Sequence, residues 1–290
     1  MNRVEGLTAH LCSGKQRNYG SGRMEGKVAF LTGCGSGIGK ASAILLAKQG
    51  AKVFCCDINE EAVQETVKEI WALVGNDMAK AMGCDVSNQK QVENAVNTCL
   101  QTFGKRIDAC FANAGVIGPL APFYELDQDE FDFVFDINVK GVFNVFKYVA
   151  KVMMQQPDGG SMIATASVAG IRSGAGDMVY SSSKAAVISM CKTMANQLTG
   201  TNIRVNAICP GLIETGMTKM VFDMADARGT RGKIGQLNPL LRYGVPDEIA
   251  SAVLFLASDD SSYVNGQEFA VCGGLTSSLP VANRKKAVQM

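Results

Sequence analysis

Tyr180 and Lys184 stand four residues apart in the segment YSSSKAAVISM, a spacing that sets both side chains on one face of a helix. A phenol with a pKa near 10 is a poor base at neutral pH, but a neighbouring ammonium stabilises the phenolate and lowers that value. The pair is therefore a candidate proton-transfer device. None of the other tyrosines has a lysine four residues later. Ser167 ends the apolar stretch in ATASVAG, thirteen residues before Tyr180. Small hydroxyl residues at strand ends contact substrates at the carboxyl edge of parallel sheets, although a plain cap or turn serine would look the same. Such a device is needed if the chain is an enzyme. Its single histidine, His10, lies upstream of any core pattern, which removes Ser/His/Asp and Cys/His nucleophilic pairs and histidine-based zinc sites.

A second constellation binds rather than reacts. An apolar run over residues 28–32 leads into Gly33, Cys34, Gly35, Ser36, Gly37, Ile38 and Gly39, ahead of a helix opening Lys40, Ala41, Ser42. Glycine permits the tight turn and lets backbone approach a diphosphate, while the helix N-terminus offers unpaired N–H groups. The spacing is GxxxGxG rather than the commoner GxGxxG, and as a bare pattern it also fits a structural turn. Asp57 follows Gly39 by eighteen residues, at the end of the next apolar run. There a carboxylate accepts hydrogen bonds from ribose hydroxyls and repels a 2′-phosphate. Neither Cys34 and Ser36 nor Ile58 and Asn59 supplies a cation for that phosphate. NAD is favoured over NADP; the bland alternative is that Asp57 caps a helix starting at Asn59.

These residues need a scaffold, and the pattern around them supplies one. Short Val, Ile, Phe and Ala runs alternate with longer segments of helical period, the form of a parallel sheet with crossover helices. Strands are expected at 27–32, 52–57, 79–84, 107–112, 160–166, 203–208 and 267–271. Helices are expected near 37–49, 60–73, 88–103, 128–154, 177–199 and 245–257. The expected fold is a doubly wound, Rossmann-like α/β domain with a seven-stranded parallel sheet and helices on both faces. It spans 25–274, with an irregular substrate-loop region at 212–244, a disordered extension over 1–24 and a tail over 275–290. Asn113, Ala114 and Gly115 close the fourth strand. Asn138 falls inside the long helix 128–154, where an amide is either solvent-facing or distorts the helix to hold a water.

Composition narrows the partners. With 28 basic and 27 acidic side chains the net charge is +1, so no basic field exists for nucleic acid or an anionic membrane. No run of eighteen apolar residues occurs, so no membrane span is expected. The ten cysteines lack disulfide-framework spacing and CxxC pairs, and read as buried hydrophobes of a reducing, cytoplasmic compartment. Basic residues outnumber acids in the first 24, which leaves organelle targeting open, but no secretory apolar region is present. No metal site is expected.

In ordered motifs the chain resembles the short-chain dehydrogenase/reductase family, from about Gly26 to Gly274. The matches are TGCGSGIG at 32–39, Cys84 and Asp85, NAG at 113–115, Asn138, Ser167, YxxxK at 180–184, and Pro210 and Gly211 followed by Thr215. The resemblance implies that Tyr180 is the acid/base, that Lys184 also binds the nicotinamide ribose, that Ser167 polarises the substrate oxygen and that Asn138 holds a water linking the lysine to solvent. It implies cofactor contacts from Gly33, Ser36, Gly37, Ile38, Gly39 and Asp57. Asp85 would meet the adenine with Val86 beside it, Asn113 would support the cofactor wall, and Ile213 with Thr215 would bind the carboxamide. The expected reaction is hydride transfer between NAD and a secondary alcohol or ketone. An NADP-dependent reductase and a non-catalytic NAD-binding scaffold are the alternatives.

After Pro210, Met217, Met220, Val221, Phe222 and Met224 suggest either a lid over a hydrophobic substrate or a helix packing on the body. Arg228, Arg231 and Lys233 are either contacts for an anionic group or solvated charges. The segments 128–154 and 177–199 carry surplus apolar positions, among them Val142, Phe143, Val145, Phe146, Val149, Val187, Met190 and Met194. These mark either a subunit interface or burial against the sheet. The family likeness implies a homotetramer or homodimer.

Overall fold

A computed structural model describes residues 22–119 and 121–279; His10 and most of the expected N-terminal extension and C-terminal tail lie outside them. Seven strands form one parallel sheet: β1 (Val28–Thr32), β2 (Lys52–Asp57), β3 (Ala79–Gly83), β4 (Ala109–Ala112), β5 (Gly160–Thr165), β6 (Ile203–Pro210) and β7 (Glu268–Val271). Their order is β3-β2-β1-β4-β5-β6-β7, with every neighbouring pair parallel. The helices are α1 (Gly37–Lys48), α2 (Glu60–Val74), α3 (Gln89–Phe103), α4 (Gln128–Phe135), α5 (Gly141–Met153), α6 (Met178–Gln197), α7 (Lys219–Ala227) and α8 (Pro246–Ala257).

The continuous apolar strands follow from burial on both faces. Successive side chains point to opposite sides, so Phe54 and Cys56 of β2 join one core while Val53 and Cys55 join the other. The first core is closed by α3, α5 and α6 through residues such as Val96, Phe146 and Val187. The second is closed by α1, α2 and α8 through Leu46, Ile70 and Val253. This is the expected doubly wound, Rossmann-like architecture. Its strand order reverses between β1 and β4, where the connections leave in opposite directions and open a crevice at the strands' carboxyl ends.

Two elements differ from the sequence expectation. The segment 128–154 is three pieces, because a π-helical turn at Asp136–Lys140 separates α4 from α5. The amide N–H of Gly141 donates to the Asp136 carbonyl, five residues back. The substrate-loop region is not wholly irregular, since it contains α7, whose Phe222 and Ala225 are buried. Burial against the sheet also accounts for most of the surplus apolar positions: Val142, Val145, Phe146, Val149 and Val187 all lie in the core, and Met190 and Met194 pack on it. Only Phe143 of that set remains exposed.

Candidate active site

The crevice at the strand reversal is a cavity of about 730 Å³, within the range of small-molecule and cofactor sites. One side is the glycine loop and Asp57; another is Asn113 and Gly115 after β4; Ser167, Tyr180, Lys184, Ile213 and Thr215 complete the wall. Residues separated by up to 182 positions thus share one cavity because every contributing loop leaves the same edge of the sheet.

The loop is shaped by what its glycines exclude. Gly33 has φ +69°, a left-handed conformation unfavourable for a side chain. A Cβ at Gly39 would lie 1.9 Å from the Gly33 carbonyl oxygen, so strand and helix meet too closely for any other residue. Ser36 begins α1 without a side-chain cap, leaving first-turn N–H groups for an anion. Across the cavity, the space beside Gly37 faces the Thr215 methyl at 3.2 Å. Asp57 does not cap α2, because Asn59 does so by accepting from the Ala62 N–H at 3.0 Å. Instead the Asp57 Oδ2 accepts from the Gly35 N–H at 2.8 Å and its Oδ1 from the Asn59 N–H at 3.0 Å. The carboxylate is held at the cavity wall. The nearby Lys40 is paired with Glu69 at 2.7 Å. An uncapped helix N-terminus, a glycine-rich loop and an acid after the second strand fit a dinucleotide.

Asn113 ties three strands together. Its Nδ2 donates to the Gly33 carbonyl at 3.1 Å, its Oδ1 accepts from Thr165 Oγ1 at 2.9 Å, and its own N–H donates to Thr32 Oγ1 at 3.1 Å. The fold therefore makes the cofactor-side loop and the β5 end one rigid piece.

Asp177 caps α6 through the Tyr180 N–H at 2.8 Å, which sets the helix turn carrying Tyr180 and Lys184. The Lys184 Nζ donates to the Thr165 carbonyl at 2.9 Å and lies 5.6 Å from the Tyr180 ring centroid. Burial brings the lysine down to about 8. Burial also pushes the Tyr180 phenol up; the Ser167 hydroxyl hydrogen-bonds the phenol and opposes this, while Asp177 and Cys209 add to the rise. The tyrosine therefore moves up rather than down here, because burial disfavours the phenolate. Ser167 also caps the short turn Val168–Gly170 through the Ala169 N–H at 3.1 Å, so the cap reading of that serine holds, and it lines the cavity as well. Asn138 is fully buried in the π-helical turn. Its Oδ1 accepts from the Val116 N–H at 2.8 Å, and its Nδ2 donates to the Val116 carbonyl at 2.9 Å and Ser183 Oγ at 3.1 Å. The widened turn directs the amide inward, not to solvent.

Gly39, Asp85, Val86 and Asn138 are not on the cavity wall. Val86 is a core residue whose carbonyl accepts from Asn144 at 2.9 Å, and Asp85 accepts from the Ser87 N–H and hydroxyl at 2.9 and 2.7 Å. Of the apolar set after Pro210, Met217 and Val221 line the cavity, Phe222 packs edge-on against Tyr243, and Met220 and Met224 are exposed. The packing reading holds for Phe222, while Met217 and Val221 contribute to the cavity wall. Arg228, Arg231 and Lys233 do not reach the wall, and Arg231 is paired with Glu214 and Asp226. Sequence reasoning missed Thr165, Ser183 and the Val116 backbone, whose partners are distant in the chain and leave no spacing signal. It also missed Arg172, whose segment carries no recognisable motif.

A family model described as enoyl-(acyl carrier protein) reductase matches residues 33–276. The chain is 42% identical over 253 residues to 3-oxoacyl-(acyl-carrier-protein) reductase FabG of Thermotoga maritima, covering 87% of this chain and 99% of that protein. It is 36% identical over 255 residues to levodione reductase of Leifsonia aquatica, covering 87% and 95%. A crystal structure of levodione reductase superposes with a TM-score of 0.83 at 36% identity, covering 88% of this chain and 100% of that one. At 35% identity over 254 residues, 3beta-hydroxysteroid dehydrogenase 2 of Eggerthella lenta is a further relative, matched over 87% of this chain and 95% of its own. Likeness of this extent, over a fold whose crevice gathers a glycine loop, a serine, a tyrosine and a lysine, makes the chain a member of the short-chain dehydrogenase/reductase family, an NAD(P)-dependent oxidoreductase acting on alcohols and ketones.

Proposed function

We propose that the protein is an NAD-dependent secondary-alcohol dehydrogenase and ketone reductase with Tyr180 as its acid/base. The observation that carries this reading is the shared wall of Ser167, Tyr180 and Lys184 in the cavity bounded by the glycine loop and Asp57. Gly33, Ser36, Gly37 and Ile38 hold the diphosphate on the loop whose close approach Gly39 permits, Asp57 the adenosine ribose, Asn113 the cofactor wall, and Ile213 and Thr215 the carboxamide, while Asp85 and Val86, off the cavity wall, are assigned to the adenine end on family likeness alone. The nicotinamide cofactor supplies the hydride acceptor or donor.

The chain's own residues manage the oxygen and its proton. The Ser167 hydroxyl and the Tyr180 phenol hold the substrate oxygen between them. With its pKa raised by burial, Tyr180 is protonated at neutral pH and is ready to donate to a nascent alkoxide in the ketone-to-alcohol direction. In the reverse direction it must first give up its proton, and the Lys184 ammonium 5.6 Å from its ring favours that loss. Lys184 is steadied by the Thr165 carbonyl, and Asn138 braces the Val116 backbone and Ser183 behind it.

NAD is preferred because Asp57 faces the cavity and Lys40, in the first turn of α1, is off the wall and paired with Glu69. The protein assembles as a homodimer or homotetramer. All nine cysteines among the described residues are unpaired, which suits a cytoplasmic location. The test is Tyr180→Phe. Alcohol oxidation should fall by about 10²- to 10⁴-fold while NAD binding persists in a fluorescence titration. Retained turnover overturns the acid/base assignment, and tighter binding of NADP than NAD overturns the cofactor assignment.

A further inference from the structure

We infer that Arg172 is a specificity-determining residue that selects hydroxy and keto substrates bearing a carboxylate; this deepens the reading of the cavity as an alcohol and ketone site and rests on it. Two cations reach the cavity wall, Lys184 and Arg172. Lys184 is buried beside Tyr180 and engaged by the Thr165 carbonyl. Arg172 is half-buried, and its Nη1 donates to the carbonyls of Leu275 and Ser278 at 2.5 and 2.8 Å. Both partners are neutral backbone groups. Among the described residues no carboxylate pairs with this guanidinium, and its Nε and Nη2 make no hydrogen bond. Among the described residues its charge therefore has no carboxylate paired with it, its position is fixed by the turn at Leu275 and Ser278, and its Nε and Nη2 have no partner.

Two carboxylates share the wall and each holds backbone N–H groups, but the Asp177 Oδ2 is buried without a hydrogen-bond partner and remains a second negative charge there. Asp57 holds the Gly35 and Asn59 N–H groups, and Asp177 holds the Tyr180 N–H and lies against Gly118. The wall also carries apolar side chains, from Ile117, Val168, Met217, Val221, Leu237 and Leu275. Residues 173–176 add no bulky side chain, and Gly174 has nothing within 4 Å of the position a Cβ would take. An apolar body with one anionic head matches this wall. A planar carboxylate suits the guanidinium fork because two parallel charge-assisted hydrogen bonds form at once.

The experiment compares kcat/KM for 3-hydroxyoctanoate, its methyl ester and 2-octanol in the wild type, Arg172→Gln and Arg172→Lys, each with NAD. The wild type should favour the acid over the ester by about 10- to 100-fold. Arg172→Gln should abolish that preference through KM for the acid, leaving the ester and 2-octanol close to wild type, and Arg172→Lys should keep part of it. Calorimetric binding of octanoate, which needs no turnover, should weaken similarly in Arg172→Gln. An unchanged acid-to-ester ratio in Arg172→Gln, or equal losses on all three compounds, would make Arg172 only a clamp for the C-terminal turn and overturn the inference. If Arg172→Gln fails to fold, the wild-type ratio and the Lys variant decide. No turnover of any compound would instead count against the alcohol dehydrogenase reading, while the octanoate titration still judges Arg172.

Discussion

At Tyr180 and Lys184, two desolvation penalties act on neighbouring groups in opposite senses. Burial resists a charged phenolate and equally resists a charged ammonium, so the tyrosine moves up and the lysine moves down to about 8. The four-residue spacing and the identity of the pair are legible in the sequence, but the direction of the tyrosine shift is not, because it depends on how much water the fold removes. A stability consequence follows for the cofactor-free protein. The unfolded chain keeps the lysine proton up to about 10.5 whereas the folded chain releases it near 8. Between those values the unfolded state binds more protons, so this lysine makes stability rise with pH there, and below 8 its penalty is constant. Denaturant unfolding should show the wild type gaining about 3 kcal/mol relative to Lys184→Met between pH 8 and 10.5. A pH-independent difference between the two proteins would mean that Lys184 is not desolvated as described.

Among the elements, the glycine loop and the π-helical turn do the positioning. The loop's place between β1 and α1 was legible, since its glycines, the strand before it and the helix after it are local features. Its severity was not. Only the tertiary approach shows that Gly39 has no room for a methyl group, with the Gly33 carbonyl 1.9 Å from the site of a Cβ. Gly39→Ala should therefore push the loop off α1, cost about 1–3 kcal/mol of stability and abolish NAD binding in an equilibrium titration. Gly232→Ala, at a glycine with nothing within 4 Å, should leave both measurements unchanged. The π-helical turn was hidden because Asn138 reads as one polar residue in a helical pattern. Its cause is distant in the chain: the amide is drawn inward to satisfy both Val116 backbone groups and Ser183, and an extra residue in that turn makes the reach possible.

For the whole molecule, covering the sheet on both sides consumes most of the apolar helix surface that sequence alone leaves unassigned. Some apolar helix surface stays outside: Phe133 and Phe143, flanking the π-helical turn, are 57% and 45% exposed, and Leu73, Met178, Met220, Val221 and Met224 are exposed on other helices. The edge strand β7 also alternates exposed with half-buried residues and offers one unpaired side. Burying these features between copies is the physical basis for expecting a homodimer or homotetramer. Multi-angle light scattering should return two or four times the 30.8 kDa chain mass; a monomer at micromolar concentration would contradict the proposed assembly.

The sequence by itself determined the alternation of strand and helix, the doubly wound parallel sheet, and the residue types that line the crevice, because each is written in local periodicity or short spacing. Tertiary structure alone decided which groups meet. Asp57 turns to the Gly35 N–H rather than capping α2, Asn113 bridges to Thr165, and the basic cluster around Arg231 stays away while Arg172 reaches the wall. Those outcomes depend on parallel strands delivering distant loops to one sheet edge and on how much water that packing expels, and neither quantity has a local signature in the chain.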